Sequence, residues 1–590
     1  GVERRAELGR SSHNAKALAQ VIETYPRDEL FQISEDDLLN IALGRVYLGD
    51  RPRTKAFFRF DTFDRFVSAL VYVPTDVFRS RLLRDFGRIL AQAFNGDVSS
   101  SDYQNEEGQL TRAHIVVDRR PGPRPAVSEE ALQTQLESAV RLWEEDFRSF
   151  LNDTRAPDEA SALTARYADA FTDGYREQTS VSEAAIDIAR LEQILASTDP
   201  DALIIRSWRA PQDPSDRLHL KIYRKGGVIE LSAILPVLEN FGLRVSTEAS
   251  HAINALLSGE RHKLTVHQFD CVTPPGVTFD ESREAPLLEE AFLSVWRGAV
   301  ESDGFNRLVL AAGMSAFDVT IMRAVSKYLR QAAFPFSQSL MEDALTRQPA
   351  LSSLLAKLFH ARLNPAGWSS ISAREAEEQA LNAAIEQSLA TVPSLDDDRI
   401  IRRYRNTIQS MLRTNAFQKD AGGSGKQALS FKIDSQSVQD LPLPRPMVEI
   451  FVYSPEVEGV HLRFGRVARG GLRWSDRRED FRTEVLSLVK AQQVKNTVIV
   501  PVGSKGGFFP KRLPPASAGR DAFQAAGVSA YKTFIRCLLD VTDNLDGKGA
   551  VVPPKGVVRR DNDDPYLVVA ADKGTATFSD IANGISLEYG

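Results

Sequence analysis

Residues 461–507 read HLRFGRVARGGLRWSDRREDFRTEVLSLVKAQQVKNTVIVPVGSKGG, and this stretch decides the fold of the region around it. The order predicted is a strand, a glycine-broken turn carrying Arg469, a helix, a second strand and a second glycine-broken turn carrying Lys505. The helix follows from Phe481, Val485, Leu488 and Val489, spaced i, i+4, i+7 and i+8, with Ser475 as the expected N-cap and Asp476 and Glu479 in the first turn. The second strand, Thr497 to Val502, is β-branched up to Pro501. A strand this apolar is expected to be buried on both faces, as in a parallel or mixed sheet covered by helices.

Lys505 lies in Gly503-Ser504-Lys505-Gly506-Gly507, where absent side chains allow positive φ and a close approach of substrate to backbone. An ammonium at the rim of a buried strand can lose hydration, which lowers its pKa toward the range a base needs. The alternative is a solvated lysine in a flexible turn. A phosphate-binding loop does not fit, because the spacing G-x-x-x-x-G-K-[ST] is met neither here nor at Gly425-Lys426. Further on, Tyr566 to Ala571 reads as a strand ending at Asp572-Lys573-Gly574. A carboxylate in that place can shuttle a proton, and it can equally cap a helix or a turn.

The chain as a whole is ordinary in composition. Its 590 residues suit about four domains at roughly 150 residues each, and a net charge of −6 with 43% hydrophobic residues shows neither a basic excess for nucleic acid nor a bias toward disorder. Two cysteines, Cys271 and Cys537, are too few for a disulfide framework or a zinc site, so a reducing, cytoplasmic setting and no metal are expected. No apolar run reaches the roughly 18 residues of a membrane span. The start without Met and the end just after a helix start lead us to expect a fragment.

Residues 1–50 read as mixed helix. From 51 to 125 the order is KAFFRF, RFVSALVYVP, a helix from Val77 to Phe94, and RAHIVVD, a ββαβ pattern that predicts a small α+β module. Residues 126–200 are helical beyond the RRPGPRPAV linker. A second α+β module, 201–283, has strand HLKIYRK, helix ELSAILPVLENFG and strands LRVSTEAS and HKLTVHQFDCV. On the last of these His262 and His267 face opposite sides and make a poor metal pair. Residues 284–418 read as a helical bundle, with His360 as a satisfied core residue. The glycine-rich linker 419–425 precedes a last domain, 430–590. The acidic run DNDDP at 561–565 reads as a loop.

The motifs ARGGLRW, VPVGSKGG and VVAADKGTATFSD resemble the substrate domain of glutamate dehydrogenases, above all the large NAD-specific bacterial type with a long N-terminal regulatory region. The resemblance implies a multidomain α/β and α+β protein with two ACT-like α+β modules, a helical region, and an α/β substrate-binding dehydrogenase domain without its nucleotide-binding half. It implies oxidative deamination of glutamate to 2-oxoglutarate and ammonia with NAD, in amino-acid catabolism, by a homo-oligomer whose ACT-like modules can bind an amino-acid effector. Lys505 and Asp572 match the catalytic lysine and aspartate. Arg469, with Gly470 and Gly471 beside it, stands where relatives bind the substrate's side-chain carboxylate, and Lys495 is close to a second substrate-binding lysine. No G-x-G-x-x-G follows any strand, so no cofactor-binding residue is assigned and the nucleotide-binding domain is expected beyond Gly590. Two other readings stand beside this one: an amino-acid-sensing protein with a non-catalytic scaffold, and a dehydrogenase for an aliphatic amino acid. A cation at Arg469 argues against the latter.

Overall fold

The structure is a computed structural model that describes residues 13–50, 52–106, 109–140, 143–368, 370–420, 422–495, 502–571 and 578–590. The chain divides into two compact units, 1–196 with 251–264, and 197–250 with 265–590.

In the first unit, strands β1 (Lys55–Phe60), β2 (Phe66–Pro74), β3 (Gly96–Glu106) and β4 (Leu110–Arg119) form an antiparallel sheet in the order β1-β2-β4-β3. The helix Arg81–Phe94 places Leu82, Phe86, Leu90 and Phe94 at every fourth position, so one stripe is buried against Val67, Ala69, Val71, Ile115 and Val117. Full burial of a side chain such as Phe86 or Leu90 contributes about 1.5–3 kcal/mol. The module is therefore ββαββ, and β3 is the strand the sequence pattern did not show. Its residues GDVSSSDYQNE carry no apolar alternation because β3 is an edge strand with its side chains from Asp97 to Asn105 in solvent. Pairing with β4 holds it. Helices Glu129–Val140, Trp143–Thr154, Pro157–Tyr167, Asp173–Gln178 and Val181–Ala196 follow, as their spacing predicts.

The next sheet is β5 (Leu203–Trp208), β6 (Arg217–Lys225), β7 (Arg244–Leu257) and β8 (Glu260–Val272), ordered β5-β6-β8-β7, with the helix Leu231–Asn240 between β6 and β7. The strand order repeats that of the first module. The six-residue β5 is a further strand the sequence pattern did not show. In β8 the His267 ring nitrogen Nε2 accepts from the backbone N–H of Ile229 at 2.9 Å, so this histidine is a buried structural acceptor. His360 is half-exposed, not core, and its Nε2 lies 2.7 Å from the Asp318 carboxylate.

A bundle built on the helices Glu281–Trp296, Ala316–Gln331, Gln338–Arg347, Pro349–Leu363, Ile371–Leu389 and Leu395–Ser410 leads into a seven-stranded mixed sheet. Its strands are β9 (Met411–Thr414), β10 (Leu429–Ile433), β11 (Val448–Tyr453), β12 (Val457–Arg463), β13 (Gly470–Trp474), β14 (Ser504–Pro510) and, after a two-strand hairpin β15 (Asn544–Leu545) and β16 (Val551–Val552), β17 (Val569–Ala571). The order is β17-β13-β14-β12-β11-β10-β9. Strands β9 to β12 and β14 run antiparallel to their neighbours in that series, while β14, β13 and β17 are mutually parallel. Met411–Leu412–Arg413 belongs to strand β9 and not to the end of the bundle's last helix. The strand read as Tyr566 to Ala571 is only Val569–Ala571.

Both faces of this sheet are covered. Phe451, Tyr453, Val460 and Leu462 pack with Phe481, Val485 and Leu486 of the helix Phe481–Lys495 and with the bundle. On the other face Ile450, Val452, Leu472 and Phe508 pack with Tyr531, Phe534 and Leu538 of the helix Arg520–Asp540 and with Phe578, Ala582 and Ile585 of the segment ending in helix Ser579–Tyr589. The bundle is tied to the sheet by a buried polar lock. Tyr328 donates to Glu449 at 2.6 Å, Arg482 donates to the same carboxylate at 2.8 Å, and the Gln331 side chain brackets the start of the helix at Arg482 N and Arg478 O.

Candidate active site

The two glycine turns predicted around Arg469 and Lys505 are strands. Gly470 and Gly471 open β13, and Lys505 is the second residue of β14. The strand expected at Thr497 to Val502 lies outside the described residues except for Val502, which is not in a strand. Neither Gly470, Gly506 nor Gly507 has positive φ; what requires glycine is close approach. A Cβ on Gly470 would lie 1.4 Å from the Ser504 carbonyl oxygen, and one on Gly507 would lie 2.7 Å from Val485 Cγ2 of the covering helix. The glycines therefore let β13 press on β14 and let the helix settle on β14. Ser475 is not an N-cap: the helix starts at Phe481, and the Ser475 hydroxyl accepts from Arg477 N and donates to Glu484 at 2.6 Å.

Parallel register brings the backbone of Arg469, Gly470 and Gly471 alongside that of Lys505. Leu472 pairs with Gly506 and Arg469 bridges to Gly503, so Gly471 stands opposite Lys505. A Cβ on Gly503 would meet Gln492 Oε1 at 3.0 Å, and one on Gly507 would meet Val485, so both glycines face the helix Phe481–Lys495. Side chains alternate along a strand, which puts half-buried Lys505, between them, on that same face. Arg469 is exposed, but its backbone is held: its carbonyl oxygen accepts from Gln492 Nε2 at 2.9 Å.

Gln492 is the residue sequence reasoning missed. Its Oε1 is buried without a hydrogen-bond partner among the described residues, beside Gly503. The signal was present, because Gln492 continues the stripe Val485, Val489 at i+7 and i+3, and a polar residue on a buried stripe is a candidate for a site. Lys495 is the last residue of the same helix, and its side chain lies outside the described residues, as does Asp572. Strand β17 ends at Ala571, which pairs with Leu472, itself paired with Gly506 next to Lys505.

On the opposite face of β12 and β14 the chemistry is different. His461 is buried beside Gly506, and its Nε2 has no partner among the described residues. Burial, followed by the positive charge of Arg463, pushes its pKa down to about 3, so the ring is neutral. Asp564 is held below the usual carboxylate range: burial acts to raise it, but hydrogen bonding to Arg463 and the charge of Lys432 outweigh that. Among the described residues no group of three or more His, Cys, Asp or Glu side chains could hold a metal ion. No described helix is long and apolar enough to cross a membrane.

Comparison with known proteins gives a consistent series along the chain. Residues 384–590 match the family described as the catalytic domain of bacterial NAD-glutamate dehydrogenase. Residues 55–144 and 202–283 match the ACT2 and ACT3 domains of glutamate dehydrogenase, and 1–51, 151–194 and 300–365 match its helical motifs 1, 2 and 3. The chain is 42% identical over 580 residues to the NAD-specific glutamate dehydrogenase of Halomonas elongata, covering 98% of this chain and 35% of that protein. It is 41% identical to the proteins of the same name from Pseudomonas aeruginosa, over 100% of this chain and 36% of that one, and from Mycobacterium tuberculosis, over 98% and 36%. The chain thus spans about a third of the length of the curated relatives it matches.

Proposed function

Because this chain belongs to the bacterial NAD-specific glutamate dehydrogenases, we propose that residues 430–590 form the glutamate-binding part of an enzyme that converts L-glutamate to 2-oxoglutarate and ammonia with NAD. The observation that carries this reading is the register that sets Arg469, Gly470 and Gly471 alongside Lys505, with Gln492 bridging to Arg469. An arginine there can grip a carboxylate with two parallel N–H donors, and Lys495 at the end of the covering helix would take the second carboxylate. The Gln492 amide oxygen offers an acceptor to the substrate's amino group.

Lys505 then stabilises charge developing at the reacting carbon and activates the water that attacks it, and Asp572 moves the proton to and from nitrogen. NAD would accept the hydride. The sequence holds no G-x-G-x-x-G motif of the kind that cradles a dinucleotide, and the work proposed for these residues is to hold the amino acid and move its protons.

The division proposed for the chain is 1–50 helical, 51–125 and 201–283 ACT-like, 126–200 and 284–418 helical, and 430–590 substrate-binding. The ACT-like modules would bind an amino-acid effector of a cytoplasmic, homo-oligomeric enzyme of amino-acid catabolism; the buried, unpaired Cys271 and Cys537 suit a reducing setting. The test is glutamate-dependent NAD reduction by the complete gene product. Absence of NADH formation at saturating glutamate, or turnover unaffected by any of the twenty amino acids, would remove the activity or the effector from this reading.

A further inference from the structure

The acidic run 561–565 has no part in the reaction proposed above, yet the buried cations of the sheet converge on it. Arg413 of β9 and Lys432 of β10 are cross-strand partners, and Arg463 of β12 lies opposite Ser504, the neighbour of Lys505. All three cations are buried. Asp561 receives Arg413 Nε and Lys432 Nζ, each at 2.6 Å. Asp564 receives Lys432 Nζ at 2.6 Å and the Arg463 guanidinium. Arg463 also donates to the carbonyl oxygen of Tyr566 at 2.6 Å. Asp543 closes the network, accepting from Arg413 at 2.8 Å and from the Asp564 N–H at 2.7 Å.

This strap leads directly into β17. That strand has three residues, lies at the sheet edge and, among the described residues, pairs only with β13. Three pairs specify register weakly, and a slip of one residue moves the strand by about 3.3 Å and turns each side chain to the other face. Among the described residues the Tyr566 carbonyl, three residues before β17, takes the side-chain hydrogen bond nearest to the strand at whose end Asp572 stands in the sequence. Arg463 holds that point from the strand next to the one carrying Lys505.

We propose that Arg463 is a positioning residue for the deamination: it fixes the strap 561–566 and so sets β17, through its pairing with β13, relative to Lys505 of β14. The proposal rests on the roles assigned to Lys505 and Asp572. Displacement of a reacting group by about 1 Å can lower a rate about 10²-fold. Among the described residues the strap makes no hydrogen bond to β13 or β14, and Arg469 is held at Gly503 and Gln492, so substrate binding should be spared.

The experiment compares wild-type, Arg463→Gln and Arg463→Lys in the complete gene product. In Arg463→Gln, Asp564 keeps Lys432 as partner, so the fold should survive. Expected is a loss of at least about tenfold in kcat with KM for glutamate within about twofold, a larger solvent deuterium isotope effect on kcat, and partial rescue by lysine. A kcat within twofold of wild-type, or a loss carried by KM with an unchanged isotope effect, overturns the proposal. Should Arg463→Gln fail to fold, Asp564→Asn, which keeps the Tyr566 contact, carries the same test with a smaller expected loss. Wild-type protein inactive on glutamate is a separate result, seen before any variant is compared, and it removes the functional reading on which the proposal rests.

Discussion

The two faces of the seven-stranded sheet handle charge in opposite ways. Toward the helix Arg520–Asp540, Arg413 and Lys432 are buried and each sits between two aspartates, Arg413 between Asp543 and Asp561 and Lys432 between Asp561 and Asp564. Toward the helix Phe481–Lys495, Lys505 is only half-buried and Arg469 is exposed, with its backbone held at 2.9 Å by Gln492. Ions removed from water lose solvation worth several kcal/mol and persist only with partners. A cation that must act on substrate has to keep access to the rim. The same residue types therefore build structure on one face and a candidate binding surface on the other.

Lys505→Ala gives the largest expected effect on this contrast. The variant should fold normally and lose about 10²–10⁴-fold in kcat, the range for a positioned acid–base group; Asp572→Asn should behave alike. Retention of more than about a tenth of wild-type activity, a loss under about 1.4 kcal/mol of barrier, would make Lys505 another solvated lysine.

Arg413→Met attacks the other face. It leaves Asp543 and Asp561 short of a buried partner, and breaking such a pair is expected to destabilise by about 3–5 kcal/mol. A lowered urea midpoint checks this, and an unchanged midpoint would mean that the network is dispensable to the fold.

Arg469→Leu should remove the partner of the glutamate side-chain carboxylate. Because Arg469 is exposed, the lower end of the charged-pair range applies, about 2 kcal/mol, or roughly 30-fold in kcat/KM for glutamate. Activity on norvaline should hold or rise. A parallel fall on both substrates would make Arg469 a support of β13.

The smallest effect, taken per pH unit, is a pH dependence. His461 has a folded pKa of about 3 against an unfolded value of 6.5, so the unfolded chain takes up a proton first as pH falls. Its contribution is complete above pH 6.5 and is lost through the window down to about pH 3, at no more than about 1.4 kcal/mol per pH unit. The lowered pKa of Asp564 acts in a separate window, below the ordinary carboxylate value of 3.8. His461→Gln should flatten the stability curve between pH 6.5 and 4, and an unaltered slope would contradict neutral burial of this ring.

The sequence by itself determined what depends on neighbours along the chain. The stripe of Phe481, Val485 and Val489 specified a helix, the four-residue spacing of Leu82, Phe86, Leu90 and Phe94 another, and the motifs around Lys505 a family, because periodicity and motif are local properties. The tertiary structure alone decided what depends on partners far away. Edge strand β3 is held by backbone bonds to β4 and needs no apolar pattern. Met411–Thr414 is a strand because β10 pairs with it, though its residues read as the end of a helix. Gly470 and Gly471 look like a turn, and become strand because only glycine allows β13 to lie against Ser504. The polar Gln492 breaks a local stripe, but its bond to Arg469 and the ion pairs of the run DNDDP are made between residues 23 to 148 positions apart, where no local pattern records the partner.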